Sequence, residues 1–150
     1  MTELERLLAI EDIKSLKARY FRCLDTKDFQ GLRKVFAVDA VFDVGAAMED
    51  PVLGAPPDAL AMPAMEGLEA IITGVEAVLR DAQSVHHGHM PEIEVTSEQT
   101  ARGVWAMEDL VRTSDFELWG YGHYHETYEK TDGHWLIKTL KLTRLRVTVK

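Results

Sequence analysis

From Val85 to its end the chain follows a two-residue alternation broken by polar turns, whereas its first 81 residues are dominated by helical spacing. Helices first and strands afterwards restrict the chain to an α+β fold with its helices packed on an antiparallel sheet. Thr2 followed by Glu5 forms a capping box. From it Leu4, Leu7, Leu8, Ile13, Leu16 and Tyr20 predict one apolar stripe on a helix running to about Leu24, with Glu11, Lys14 and Lys17 away from the stripe. Asp25-Thr26-Lys27-Asp28 reads as a break. Asp28 then caps a short second helix whose apolar side is Leu32, Val35 and Phe36. Val41 to Val44 reads as a first strand, and Leu68 to about Asp81 as a third helix with Ile71, Ile72, Val75, Val78 and Leu79 facing the core. Between them Gly45 to Gly67, with Pro51, Pro56, Pro57 and Pro63, reads as a long loop of the kind that forms lids and binding segments. Thr96 to Thr100 and Thr131-Asp132-Gly133 are the hairpin signals, the second separating extended runs from Leu118 to Lys130 and from His134 to Val149.

One domain spanning residues 1–150 accounts for these elements, since a chain of this length with 46% hydrophobic residues can bury a single sizeable core. A net charge of −8 disfavours nucleic acid and anionic membranes as partners, because both would repel an acidic surface. The single Cys23 excludes an internal disulfide, no run approaches a membrane span, and the first residues lack the pattern of a signal peptide. A cytoplasmic protein is the expectation.

Strand alternation marks two residues without any motif. Between Gly103 and Val111 one face carries Gly103, Trp105, Met107, Asp109 and Val111, so an acid sits on an apolar face. Leu140, Leu142 and Arg144 likewise put a guanidinium on an apolar face of the last strand. Buried charges are costly unless paired, so Asp109 and Arg144 should meet each other or a polar ligand. Periodicity equally admits a surface acid and a solvated arginine.

Two clusters complete the candidates: Tyr20 to Asp25, and His86-His87-Gly88-His89. His87 and His89 should share a strand face that His86 opposes, with a bulge near Gly88 and Pro91 able to blur this parity. There is no HExxH motif or cysteine pair, so no metal site is expected. A near-neutral imidazole oriented by a carboxylate is the better use of one histidine.

The segments Ile10 to Asp25, His86-x-Gly88-His89-x-Pro91-Glu92-Ile93, Gly103-x-Trp105-x-x-Glu108-Asp109 and Tyr128 to Lys138 together resemble the SnoaL-like branch of the nuclear-transport-factor-2-like (NTF2-like) superfamily. Within that branch they are most similar to bile acid 7α-dehydratases. The resemblance implies a cone-shaped barrel of helices on a strongly curved sheet, and a site at Tyr20, Asp25, His86, Asp109 and Arg144. It further implies a cofactor-independent lyase. In that scheme His86, held by Asp25, removes a proton beside a ketone, and Tyr20 donates to the developing enolate oxygen. Trp105, Met107, Tyr124, Leu140 and His89 are the expected contacts to a hydrophobic, steroid-like substrate. A homo-oligomer, dimer or trimer, is implied by the same analogy. An isomerase or cyclase using the same residues, and a non-catalytic binder of a hydrophobic small molecule, remain open alternatives, as does a coenzyme A thioester substrate.

Overall fold

The computed structural model of the chain describes residues 1–59 and 61–150. The first helix, α1 (Glu3–Asp25), opens on the expected capping box: Thr2 Oγ1 accepts from Glu5 N–H at 3.2 Å, and the Glu5 carboxylate accepts from Thr2 N–H at 2.6 Å. Its packed face begins only at Ala9, so Leu4, Leu7 and Leu8 are exposed rather than part of the buried stripe. Arg6 donates to the carbonyl of Val95, where a long strand ends, and the turns before Ala9 find no apolar cover among the described residues. Lys17 departs from expectation in the opposite sense. It lies four residues after Ile13 and three before Tyr20, on the packed face, and is fully buried.

The helix ends in a Schellman turn: Asp28 N–H donates to Cys23 O and Lys27 N–H to Leu24 O. Lys27 occupies the left-handed position at φ 60°, which costs a non-glycine residue roughly 1–2 kcal/mol. Asp28 caps α2 (Phe29–Leu32) by accepting from Gly31 N–H at 2.8 Å. That helix is only four residues long, so Val35 and Phe36 lie beyond it. β1 (Phe36–Asp43) therefore starts five residues earlier than the sequence indicated.

β2 (Met65–Glu66) interrupts the expected loop, whose Leu60 lies outside the described residues, and α3 (Leu68–Leu79) follows. The four long strands are β3 (Gln83–Val95), β4 (Thr100–Arg112), β5 (Glu117–Thr131) and β6 (His134–Val149). The curved six-stranded sheet has the order β2-β1-β6-β5-β4-β3, with β1 parallel to β6 and every other pair antiparallel. Asp132 (φ 50°) and Gly133 (φ 80°) supply the two positive-φ residues that a tight hairpin between β5 and β6 requires. α1 packs against β3 and β6, and α3 against β1 and β2, so both helices bury the same face of the sheet. Among the described residues no helix is long and apolar enough to cross a membrane.

Candidate active site

Asp25 is the last residue of α1, and the helix lays its carboxylate against β3. His86 Nδ1 lies 2.7 Å from Asp25 Oδ1, His86 N–H donates to Oδ2 at 2.8 Å, and Ser84 Oγ donates to Oδ1 at 3.0 Å. Burial pushes the Asp25 carboxyl up, but these donors outweigh it and hold the group below the ordinary carboxylate range. An ionised carboxylate only accepts hydrogen bonds, so Nδ1 carries the proton and Nε2 is the basic nitrogen. His86 is 8% exposed while His87 and His89 are exposed on the other face. The bulge falls after this triplet, between His89 and Glu92, so strand parity holds through it.

His86 lines a cavity of about 110 Å³ together with Tyr20, Tyr124, Asp109 and Arg144. Val75 and Val78 of α3, Leu142 of β6 and the 44–65 segment supply apolar walls. Arg144 Nη1 and Nη2 donate to the two Asp109 oxygens at 2.7 and 3.0 Å, and Arg144 Nε donates to the carbonyl of Ala47 at 2.9 Å. The pair is thus bidentate and nearly dry, its side chains 1% and 8% exposed. Asp109 stands directly opposite His86 in the β3–β4 register. Tyr20 is buried, and burial first, then its neighbours Tyr124 and Glu126, raise its phenol well above the ordinary value. A phenol so placed stays protonated and can donate a hydrogen bond as a neutral group.

The pairing of Asp109 with Arg144 depends on a residue that sequence reasoning passed over. Gly120 of β5 faces Asp109 across the β4–β5 register, and a methyl there would collide with both the guanidinium and the carboxylate. A glycine inside a strand often marks such close approach, and the Gly120-x-Gly122 spacing is the signal that could have found it. Gly120→Ala is expected to cost about 1–3 kcal/mol and to separate the ion pair. Thermal unfolding and a crystal structure of the variant check this.

Lys17 and Glu126 were also missed. Their charged ends form a fully buried ion pair. Tyr128 Oη donates to Glu126 Oε2 at 2.5 Å, and Trp105 Nε1 donates to Tyr128 Oη at 2.8 Å. The Lys17 ammonium sits 3.9 Å from the ring centres of both Tyr20 and Tyr124. Burial lowers its pKa to about 8, against the opposing pull of Glu126.

Of the expected substrate contacts, Tyr124 lines the cavity and the other four do not. Trp105 is committed to the Tyr128–Glu126 chain, and Leu140 is packed in the core. Met107 lies behind the guanidinium of Arg144, its sulfur 3.5 Å from Nη1. His89 is on the opposite face of the sheet beside Glu108. The walls come instead from residues without regular spacing, including Val44, Ala47, Met48 and Met62.

A model of the SnoaL-like domain matches residues 5–141. The chain belongs to the SnoaL-like family. Solved structures with the same fold include a type 2 hexachlorocyclohexane dehydrochlorinase (LinA). It superposes with a TM-score of 0.78 at 18% identity, over 99% of this chain and 93% of that one. A scytalone-dehydratase-like protein from Novosphingobium aromaticivorans gives 0.78 at 21% identity, over 98% and 91% of the two chains. A protein of unknown function from Mycobacterium tuberculosis gives 0.75 at 24% identity, over 96% and 76%. At these identities the likeness speaks to the fold, a SnoaL-like cone of helices on a curved sheet.

Proposed function

We propose that this SnoaL-like chain is a cofactor-independent lyase that dehydrates a hydroxylated ketone of steroid-like or related fused-ring type. The observation that carries the reading is the Asp25–His86 pair, which opens on the same apolar cavity as Tyr20 and Asp109. His86 Nε2 takes a proton from a carbon made acidic by the conjugated ketone, and the electron pair passes into the carbonyl. Tyr20 donates a hydrogen bond to the resulting enolate oxygen. As the enolate collapses, the C–O bond of the allylic hydroxyl breaks. The proton held by His86 leaves with that hydroxyl as water, and Asp109, clamped by Arg144, orients it. The step balances without any electron acceptor. Structural neighbours named as a dehydrochlorinase and as scytalone-dehydratase-like are both named for eliminations, which favours a lyase over a plain binder.

The cavity of about 110 Å³ is smaller than the ~300–1,000 Å³ of ordinary ligand sites. A fused-ring substrate therefore requires the 44–65 wall to yield, and the wall's Met48, Met62 and Met65 are side chains suited to such repacking. Incubation with a panel of 7-hydroxy-3-oxo-4-ene steroids is expected to produce the longer-wavelength absorbance of the dienone. Absence of that signal from wild type, or an equal rate from His86→Ala, overturns the dehydratase reading. A moved double bond with the hydroxyl retained makes the protein an isomerase.

A further inference from the structure

The base pair of Asp25 and His86 is extended by two more groups. Lys27 Nζ donates to Ser84 Oγ at 2.6 Å, and Ser84 Oγ donates to Asp25 Oδ1 at 3.0 Å, the oxygen that meets His86 Nδ1 at 2.7 Å. Cation, hydroxyl, carboxylate and imidazole thus stand in one line, drawn from the end of α1, the turn after it and β3. We propose that Lys27, acting through Ser84, is a positioning residue that fixes Asp25 against His86 and disfavours the imidazolium.

Two independent features support this. Lys27 occupies the left-handed position of the Schellman turn, where glycine is the unstrained choice, so the turn carries a long side chain where its backbone disfavours one. Its chain runs not into solvent but to a hydroxyl that, among the described residues, bonds otherwise to Asp25 alone. Ser84 is buried on its strand, so the lysine is the group that orients its hydroxyl hydrogen toward the carboxylate. Burial lowers the Lys27 pKa, and Asp25 opposes this by favouring the charged form.

Other charges face His86 as well. Asp109 of β4 stands opposite it, Arg144 of β6 neutralises Asp109, and the phenols of Tyr20 and Tyr124 come from α1 and β5. Among the described residues, α3 and the 44–65 segment present only apolar side chains to the cavity. With Asp109 already paired, Lys27 is the cation whose removal changes the balance on Asp25.

This inference rests on the proposed role of His86 but is read without turnover. His86 is titrated by ¹H–¹⁵N NMR in wild type, Lys27→Gly, Lys27→Arg and Ser84→Ala, with thermal unfolding alongside. Lys27→Gly is expected to raise the His86 pKa by roughly half a unit or more while leaving Tm at or above that of wild type, because glycine relieves the left-handed residue. Lys27→Arg should restore the wild-type value. Ser84→Ala should raise it too, and the double variant should add less than the two single shifts combined, since both act along one chain. An unchanged His86 pKa in Lys27→Gly overturns the proposal, and a fall in Tm with no such change gives Lys27 a structural role only. If the pKa moves as expected but no hydroxyketone is dehydrated, the relay stands and the dehydratase reading alone is lost.

Discussion

Asp25→Asn is expected to lower kcat on the order of 10⁴-fold, the loss seen when the carboxylate orienting a catalytic imidazole becomes an amide. The reason is tautomeric. Asp25 Oδ1 accepts from His86 Nδ1 at 2.7 Å, which leaves Nε2 basic toward the cavity. An asparagine can turn its amide N–H toward Nδ1, which must then accept, so the proton moves to Nε2 and the base is lost. Dienone formation measures the rate, and ¹⁵N shifts of His86 report the tautomer directly. A variant within tenfold of wild type removes Asp25 from the mechanism. The same substitution carries a pH signature. Asp25 has a folded-state pKa below its unfolded value of about 3.9, so its contribution to stability is present above that pH and is lost as pH falls through the folded-state value. Wild type and Asp25→Asn should therefore converge in stability as pH drops below about 4.

Lys17→Met is expected to cost about 3–5 kcal/mol, because it leaves the Glu126 carboxylate buried without a counter-charge. For a chain of 150 residues that corresponds to a fall in Tm on the order of 10 °C. Lys17→Met combined with Glu126→Gln should recover most of the loss, since the substituted amide carries no charge and still offers an oxygen to Tyr128 Oη. Urea or thermal unfolding of the two single variants and the double variant completes the cycle. A single-variant cost under about 1 kcal/mol would mean that the pair is not held dry between α1 and β5.

These residues divide along a physical line. Asp109 and Arg144 were legible because strand alternation is local, and a charge on an apolar face must be paired wherever the strand lies. Lys17 sits at an equally regular position, between Ile13 and Tyr20. Its charge nevertheless assigned it to the solvent face, and only the approach of Glu126 from β5 makes burial tolerable. Trp105, Met107 and Leu140 show the limit of parity. They point to the correct side of the sheet, but parity does not say which end of the strand the cavity occupies. That is decided by tertiary packing: Trp105 is engaged with Tyr128, Met107 lies against Arg144 and Leu140 is packed in the core. The cavity is lined instead by Asp109, Leu118 and Leu142 together with residues of α1 and α3.

The sequence by itself determined the class of the fold, the capped first helix, the β5–β6 turn and the opposition of His86 to its neighbours. Each follows from residues within a few positions of one another and from the fixed periods of helix and strand. Tertiary structure alone decided which acid meets which base. Asp25 and His86 are 61 residues apart, and Lys27 and Ser84 are 57 apart. Their contacts exist because the end of α1 is laid against β3 by the burial of an entire helix face, an energy summed over the whole core. The cavity walls were equally out of reach, since the 44–65 segment has no period. Two of its contacts, Ala47 O with Arg144 Nε and Asp50 with the Val147 N–H, are made to the far end of the chain.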